Sequence, residues 1–318
     1  MNRKKLMITG SCGFIGGNLL RKLIYEKHPY SIVSIDRVND NVANSIYWNE
    51  NHKFHVADIR DQHVIDTIFR LEQPDIVIHM AAETFVDYSL TDPNSFMTSN
   101  VLGTQVIVNA CVKSKVEKLV YISSDEVYGQ LTDPNASSWK ETDSLDPRNP
   151  YSVSKAAGEM LVKAAHNAFG IKYIITRSSN NYGPRQTSEK LIPKVIRCIL
   201  KGEKIPVYGQ GLQIRDWTHV FDNCSAIIQL LKKGKDNEVY NISANQEIQN
   251  IEVIQKICDI MNKGHNLIEF VKDRPAHDFR YSIDCSKIKE LGWKPTIKFK
   301  DGIYSTTQWY NVNQWYLK

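Results

Sequence analysis

Two short stretches of this chain hold residues able to move protons in sequence. The first, SSDEVYG (Ser123 to Gly129), sets the hydroxyl of Ser124 beside two consecutive carboxylates, Asp125 and Glu126. The second, YSVSK (Tyr151 to Lys155), places a phenol and an ammonium four residues apart, on one face of a helix. A lysine near a buried phenol favours the phenolate, so this pair can act as a base near neutral pH. Two neighbouring carboxyl groups with divergent pKa values supply an acid and a base at the same moment. Together these groups suit a hydride transfer coupled to several proton transfers.

The elements that must position them follow a regular rhythm. KLVYIS (Lys118 to Ser124 with its last serine) reads as a buried strand delivering Ser124, Asp125 and Glu126 at its carboxyl end. A DE pair is usually a solvated turn, but open α/β sheets bind ligands at the carboxyl ends of their strands. Tyr151 follows Pro150 at the start of a helix running to Phe169. Val153, Ala156, Ala157, Met160, Leu161, Ala164, Ala165 and Ala168 form an apolar stripe along it. The loop between, residues 130–150, is rich in Pro, Asp, Asn and Ser and reads as turns with a lid.

Upstream, LMITGSCGFIGG places a short strand before Gly10, Gly13 and Gly16, with Phe14 and Ile15 inside the turn and a helix over Asn18 to Tyr25. Such glycines allow a tight turn and a close approach of backbone to pyrophosphate at a helix N-terminus. The next strand, SIVSID, ends at Asp36, where a carboxylate suits the ribose hydroxyls of an adenine dinucleotide and repels a 2′-phosphate. NAD is therefore favoured, while the neighbouring Arg37 leaves NADP open. Strands at His52 to Ile59 and Pro74 to Ala82 alternate with a helix at Asp61 to Leu71 and another at Asn94 to Ser114, the pattern of a parallel sheet. Asp58, with Ile59 beside it, either reaches the adenine or caps its strand. Ala81 and Ala82 are small where backbone must approach a cofactor, and His79 reads as a core histidine. After a strand at Ile171 to Arg177 the rhythm loosens, with strands at Ile205 to Tyr208, Val239 to Ile242 and Ile268 to Val271. Helices are expected near Leu191 to Leu200, Phe221 to Leu231 and Ile251 to Met261. The expected architecture is a doubly wound, mostly parallel α/β sheet over residues 1–178 and a smaller ligand-binding lobe over 179–318, from which a segment near 214–245 returns to the first domain.

Composition narrows the function further. The chain has 318 residues, 42% of them hydrophobic, enough for a sizeable core, and 40 basic against 35 acidic residues give a formal charge of +5. No basic block argues for nucleic acid. No apolar run reaches about 18 residues, so no membrane partner is expected. The apolar run near the N-terminus breaks at Gly10 and Gly13, too early for a secretory core. Six cysteines are scattered, without a CxxC pair or metal-ligand spacing, which points to reduced thiols, a cytoplasmic location and no metal.

Taken together, TGSCGFIG, HMAAETFVDYS, SSDEVYG, NPYSVSK, SNNYGP with EKLIP, RDW (Arg215 to Trp217) and DRPAHDFRY make the chain similar, over nearly its whole length, to the nucleotide-sugar 4,6-dehydratases of the extended short-chain dehydrogenase/reductase superfamily. The resemblance implies a Rossmann-like fold, NAD, and a homodimer built from the helices beginning at Asn94 and Tyr151. It also implies roles. Tyr151, with Lys155 and Ser124, takes the proton of the sugar's 4-hydroxyl as hydride leaves C4. Glu126 removes the C5 proton, Asp125 protonates the departing 6-hydroxyl, and hydride returns to C6 and a proton to C5. Substrate contacts are implied for Thr84, Phe85, Asp87, Asn181, Arg185, Lys190, Leu191, Arg215, Asn250, Arg274, His277 and Tyr281. Ser124 stands where threonine is usual, Phe85 where histidine is usual, Tyr88 where arginine is common and Arg185 where an aromatic residue is frequent. The expected substrate is dTDP-glucose, with UDP-glucose or UDP-N-acetylglucosamine as alternatives. A 4-epimerase or decarboxylase of the same fold, or a nucleotide-sugar-sensing binding protein, are the other readings, and loss of water from the sugar separates them.

Overall fold

Short aliphatic runs such as Leu6 to Ile8, each fully buried, make the strands of a central sheet covered on both faces. The computed structural model describes residues 3–37, 50–275 and 277–317. Its strands are β1 (Lys4–Thr9), β2 (Tyr30–Asp36), β3 (His52–Val56), β4 (Ile76–His79), β5 (Lys118–Ser124), β6 (Tyr173–Ser178), β7 (Asn180–Tyr182), β8 (Ile205–Tyr208), β9 (Ile214–His219), β10 (Glu238–Ile242), β11 (Glu247–Gln249) and β12 (Ile268–Val271). Seven of them form one sheet in the order β10-β6-β5-β4-β1-β2-β3, and every neighbouring pair is parallel. The chain reverses its direction of travel between β1 and β4, so the crevice that binds ligands opens at their carboxyl ends.

The helices are α1 (Phe14–Tyr25), α2 (Gln62–Glu72), α3 (Val86–Thr91), α4 (Pro93–Phe96), α5 (Gly103–Lys113), α6 (Pro150–Phe169), α7 (Leu191–Lys201), α8 (Val220–Lys233), α9 (Asn250–Ile260), α10 (Ser286–Glu290) and α11 (Phe299–Val312). Leu19 and Leu23 of α1 and Ile227 and Leu230 of α8 pack with Leu6, Ile8 and Ile78 on one face of the sheet. Ile65 and Phe69 of α2, Ile107 of α5 and Val162 of α6 pack with Met7, Val33 and Ile175 on the other. The remaining strands make a three-stranded sheet, β11-β9-β7, and a β12-β8 pair. Ile192, Ile196, Val207, Trp217, Ile257 and Ile303 give this lobe its own core. Residues 220–242, as α8 and β10, return to the main sheet, and so does Ile288 of α10.

Three elements depart from their sequence pattern. α1 starts at Phe14, inside the glycine turn, and Gly16 packs against that turn where a Cβ would not fit. The stretch from Asn94 is interrupted by a π-helical turn, Met97–Leu102, which turns Asn100 inward. The apolar stripe of α6 is largely an outer face: Val153 and Met160 are 41% and 47% exposed, and Ala164 and Ala168 are exposed too. The buried face carries Tyr151, Ser154, Lys155, Gly158 and Glu159. The polar side of this helix is the one that serves a site.

Candidate active site

At the carboxyl end of β1 the glycine turn forms a cradle. Gly10 has φ +77°, and a Cβ there would meet the Ala81 nitrogen at 2.6 Å. A Cβ on Gly16 would lie 2.1 Å from the Gly10 carbonyl oxygen, so only hydrogen fits. Gly13 caps α1 without any side-chain hydrogen bond, which leaves the first N–H groups of the helix for a diphosphate. Asp36 at the end of β2 accepts from the Cys12 amide at 2.6 Å, and burial lifts its carboxyl above the usual range. Arg37 is held in an ion pair by Glu83. Two carboxylates thus stand where a 2′-phosphate would sit, and the cradle fits a dinucleotide without that phosphate. Asp58 binds Arg60 at 2.6 Å and also faces the cleft, with Ile59, Ala81 and Ala82 nearby.

Deeper in, the same cleft of about 460 Å³ is lined by Ser124, Asp125, Glu126, Tyr151 and Lys155. A 3₁₀ turn, Asp125–Tyr128, begins where β5 ends, with the Ser124 hydroxyl accepting from the Glu126 amide at 3.3 Å. Asn149 joins the two motifs. Its side chain caps α6 by accepting from the Ser152 amide at 2.8 Å, and its amide group donates to Glu126 Oε2 at 3.2 Å.

The two carboxyl groups are unequal. Burial and the neighbouring charge of Glu126 push Asp125 well above the ordinary carboxylate range, and Arg215 only partly opposes them. Glu126 is also raised by burial, but the Asn149 hydrogen bond and the cations Lys190, Arg215 and Arg274 hold it down. Both carboxyls are thus shifted upward, Asp125 the further of the two, because the cations and the Asn149 hydrogen bond act mainly on Glu126. Asp125 Oδ2 is buried without a partner among the described residues, as a group reserved for a ligand would be. Burial pushes the Tyr151 phenol up, with a Ser124 hydrogen bond countering it, and lowers Lys155 to about 8 against the pull of Glu159. The Lys155 ammonium rests over the ring of Tyr121 at 4.5 Å.

Of the residues expected at the sugar nucleotide, Thr84, Phe85, Asn181 and Lys190 line the cleft. Lys190 donates to the Thr84 carbonyl at 2.6 Å and lies 5.7 Å from the centre of the Phe85 ring. Arg274 pairs with Asp87, which also accepts from Tyr208 at 3.2 Å, and so ties the lobe to the first domain. Arg215 stacks on Tyr281 at 4.3 Å, and His277 contacts Asp273 at 2.6 Å. Leu191 opens α7 and Asn250 opens α9, neither against the cleft wall. Arg185 is not brought to the cleft: at φ +72° its guanidinium lies 5.3 Å from the Trp309 ring, and its carbonyl accepts from Tyr316. Sequence reasoning passed over Asn149 and Asn100. Asn100 accepts from the Glu83 amide at 2.7 Å and donates to Ser154 at 2.8 Å. Asn149 was legible as an N-cap before Pro150; Asn100 had no local signal.

A doubly wound sheet with this cradle, and a hydroxyl, phenol and lysine at the ends of its β5 and α6, defines the extended short-chain dehydrogenase/reductase class. Within it, the model of the GDP-mannose 4,6 dehydratase family matches residues 7–306, and the chain belongs to that family. It is 40% identical over 331 residues to the dTDP-glucose 4,6-dehydratase of Xanthomonas campestris, across 97% of this chain and 93% of the relative. The low-salt glycan biosynthesis protein Agl12 of Haloferax volcanii is 39% identical over 310 residues, 96% of this chain and 98% of its own. Among solved structures, DesIV, the dTDP-glucose 4,6-dehydratase of Streptomyces venezuelae with NAD bound, superposes with a TM-score of 0.93 at 34% identity over 99% of both chains.

Proposed function

We propose that this chain is an NAD-dependent nucleotide-sugar 4,6-dehydratase with dTDP-glucose as its leading substrate, converting it to the 4-keto-6-deoxy sugar with loss of water. The observation that carries the reading is the buried pair of adjacent carboxyl groups, Asp125 pushed up further than Glu126, in one cleft with the phenol of Tyr151. The full-length similarity to dTDP-glucose 4,6-dehydratases supports the substrate. NAD held in the glycine cradle would accept hydrogen from C4 and return it to C6 of the same sugar. The chain's own groups handle the protons. Tyr151, assisted by Ser124 and by the charge of Lys155, receives the proton of the 4-hydroxyl. Glu126 takes the C5 proton made acidic by the 4-ketone, and a proton is returned to C5 as hydride reaches C6. Asp125, neutral because it is buried, gives its proton to the 6-hydroxyl as it leaves. Arg215, Lys190 and Arg274 supply the positive field that suits a diphosphate.

The cleft residues Phe85 and Lys190 are the side chains best placed to meet the hexose. A homodimer through the outer face of α6 accounts for the exposure of Val153 and Met160 beside Leu102, itself 60% exposed. All six cysteines are buried thiols, which suits a cytoplasmic protein. Incubating the protein with NAD and a panel of dTDP-, UDP- and GDP-hexoses, followed by mass measurement, tests the function. Loss of one water without net cofactor reduction is expected with dTDP-glucose. An isomer of unchanged mass would make the protein an epimerase, and unaltered sugars throughout would make it a binding protein.

A further inference from the structure

One buried arginine touches both halves of the catalytic machinery. Arg177, near the end of β6, is 2% exposed, and Glu159 on α6 is wholly buried. The guanidinium donates to Glu159 from Nη2 at 2.7 Å and from Nε at 3.0 Å, a forked ion pair one helical turn beyond Lys155. Its third nitrogen donates to the Tyr128 hydroxyl at 2.7 Å. Tyr128 closes the 3₁₀ turn that carries Asp125 and Glu126, and its hydroxyl donates a hydrogen bond to Asn241 Oδ1 at 2.8 Å. The Tyr128 ring lies 4.6 Å from the guanidinium and stacks on Trp139 at 6.1 Å, tilted by only 10°. None of these side chains lines the cleft. A buried ion pair is weak grounds for stability, because apolar residues of similar volume often serve as well. What such a pair does supply is a fixed geometry between the elements it joins.

We propose that Tyr128, Arg177 and Glu159 are positioning residues that set the carboxylates of the 3₁₀ turn against the phenol and lysine of α6, so that the two groups meet one sugar in a common register. The proposal rests on the 4,6-dehydratase reading and gives the two ends of the link different effects. Tyr128 anchors the carboxylate turn alone, since α6 keeps its Asn149 cap and its Ser154 contact to Asn100. Glu159 acts on Lys155, whose amine it raises against burial; His79 on β4 and Tyr121 on β5 are the other titratable groups facing that amine.

The test uses single turnovers of the NAD-loaded protein with the sugar nucleotide that the wild type dehydrates. Nicotinamide absorbance reports the C4 step, and deuterium uptake at C5 and water loss report the carboxylates. In Tyr128→Phe the C4 step should stay within about twofold of wild type, while C5 exchange and water loss slow by about tenfold or more, the scale expected from a sub-ångström misplacement. In Glu159→Gln the alkaline limb of the C4 step should move to lower pH, a change that loss of packing alone would not produce. An unchanged ratio of the two steps in Tyr128→Phe, or an unmoved limb in Glu159→Gln, overturns the proposal. Should either variant fail to fold, Trp139→Leu removes the stacked ring, spares the ion pair, and is read by the same ratio. If the wild type loses no water from any nucleotide hexose, the functional reading fails instead, before the variants are compared.

Discussion

Gly158→Ala is expected to lower both stability and activity, against the usual effect of this substitution in a helix. In mid-helix, alanine normally gains about 0.5–1 kcal/mol over glycine. Here a Cβ at position 158 would sit 2.1 Å from the Tyr121 hydroxyl and 2.6 Å from the ring carbon that bears it. The tyrosine must retreat by roughly 1 Å to reach ordinary contact. It has nowhere to go: it is 1% exposed, its ring meets His79 at 5.8 Å between centres, and Lys155 lies over it. Overpacking of this kind costs about 1–3 kcal/mol. Losing the hydroxyl's 3.3 Å bond to the Lys155 carbonyl adds up to about 1 kcal/mol. Crowding therefore exceeds the propensity gain, for a net loss of about 1–3 kcal/mol. Because the Lys155 amine rests on the displaced ring, kcat should fall by about 10²-fold. Denaturant midpoints at constant slope, with turnover at saturating substrate, measure both. Gly170→Ala is the control, since its φ of +73° is strained but nothing lies within 4 Å: it should lose stability and keep its turnover. A Gly158→Ala protein as stable as wild type with unchanged kcat would refute the assignment of Tyr121 as the support of Lys155.

Three further outcomes are expected. Glu126→Gln should retain C4 oxidation but lower the rate of C5 hydrogen exchange by about 10²–10⁴-fold, measured by deuterium uptake; normal exchange would remove Glu126 as the base. Asp125→Asn should abolish water loss while raising stability at neutral pH. The Asp125 carboxyl is raised above its unfolded value, so its favourable contribution is full at acid pH and is lost as pH rises through the folded pKa. The stability gap between variant and wild type should thus narrow on acidification, and thermal melts from acid to neutral pH check the sign. Met160→Asp, on the outer face of α6, should convert the proposed homodimer to a monomer in light scattering; a mass that the substitution leaves unchanged would refute that interface.

Much of the site was legible in the sequence because its signals are local. The glycine spacing, the carboxylate ending β2, the DE pair after a buried strand and the Tyr–Lys spacing each depend on a few neighbouring residues, and each of those groups reached one cleft. The strands of the sheet were legible for the same reason, as short aliphatic runs. The direction in which α6 faces was not. Periodicity reports that a helix has two unlike faces, and only packing decides which of them is covered; here the covered face is Ser154, Lys155, Gly158 and Glu159. Arg185 was misplaced because a loop residue's side chain follows its backbone, and a left-handed φ turned it onto Trp309. The unequal shifts of Asp125 and Glu126 needed burial and charges brought from Lys190, Arg215 and Arg274, which lie some 65 to 150 residues further along the chain. The link through Tyr128, Arg177 and Glu159 joins a turn, a strand and a helix, so no sequence window contains it. Residue types and short spacings thus determined what chemistry this chain can perform, whereas the tertiary structure alone decided how unequally the two carboxyls are shifted and which groups link the two motifs, because both depend on groups distant in sequence meeting in a buried, low-dielectric interior.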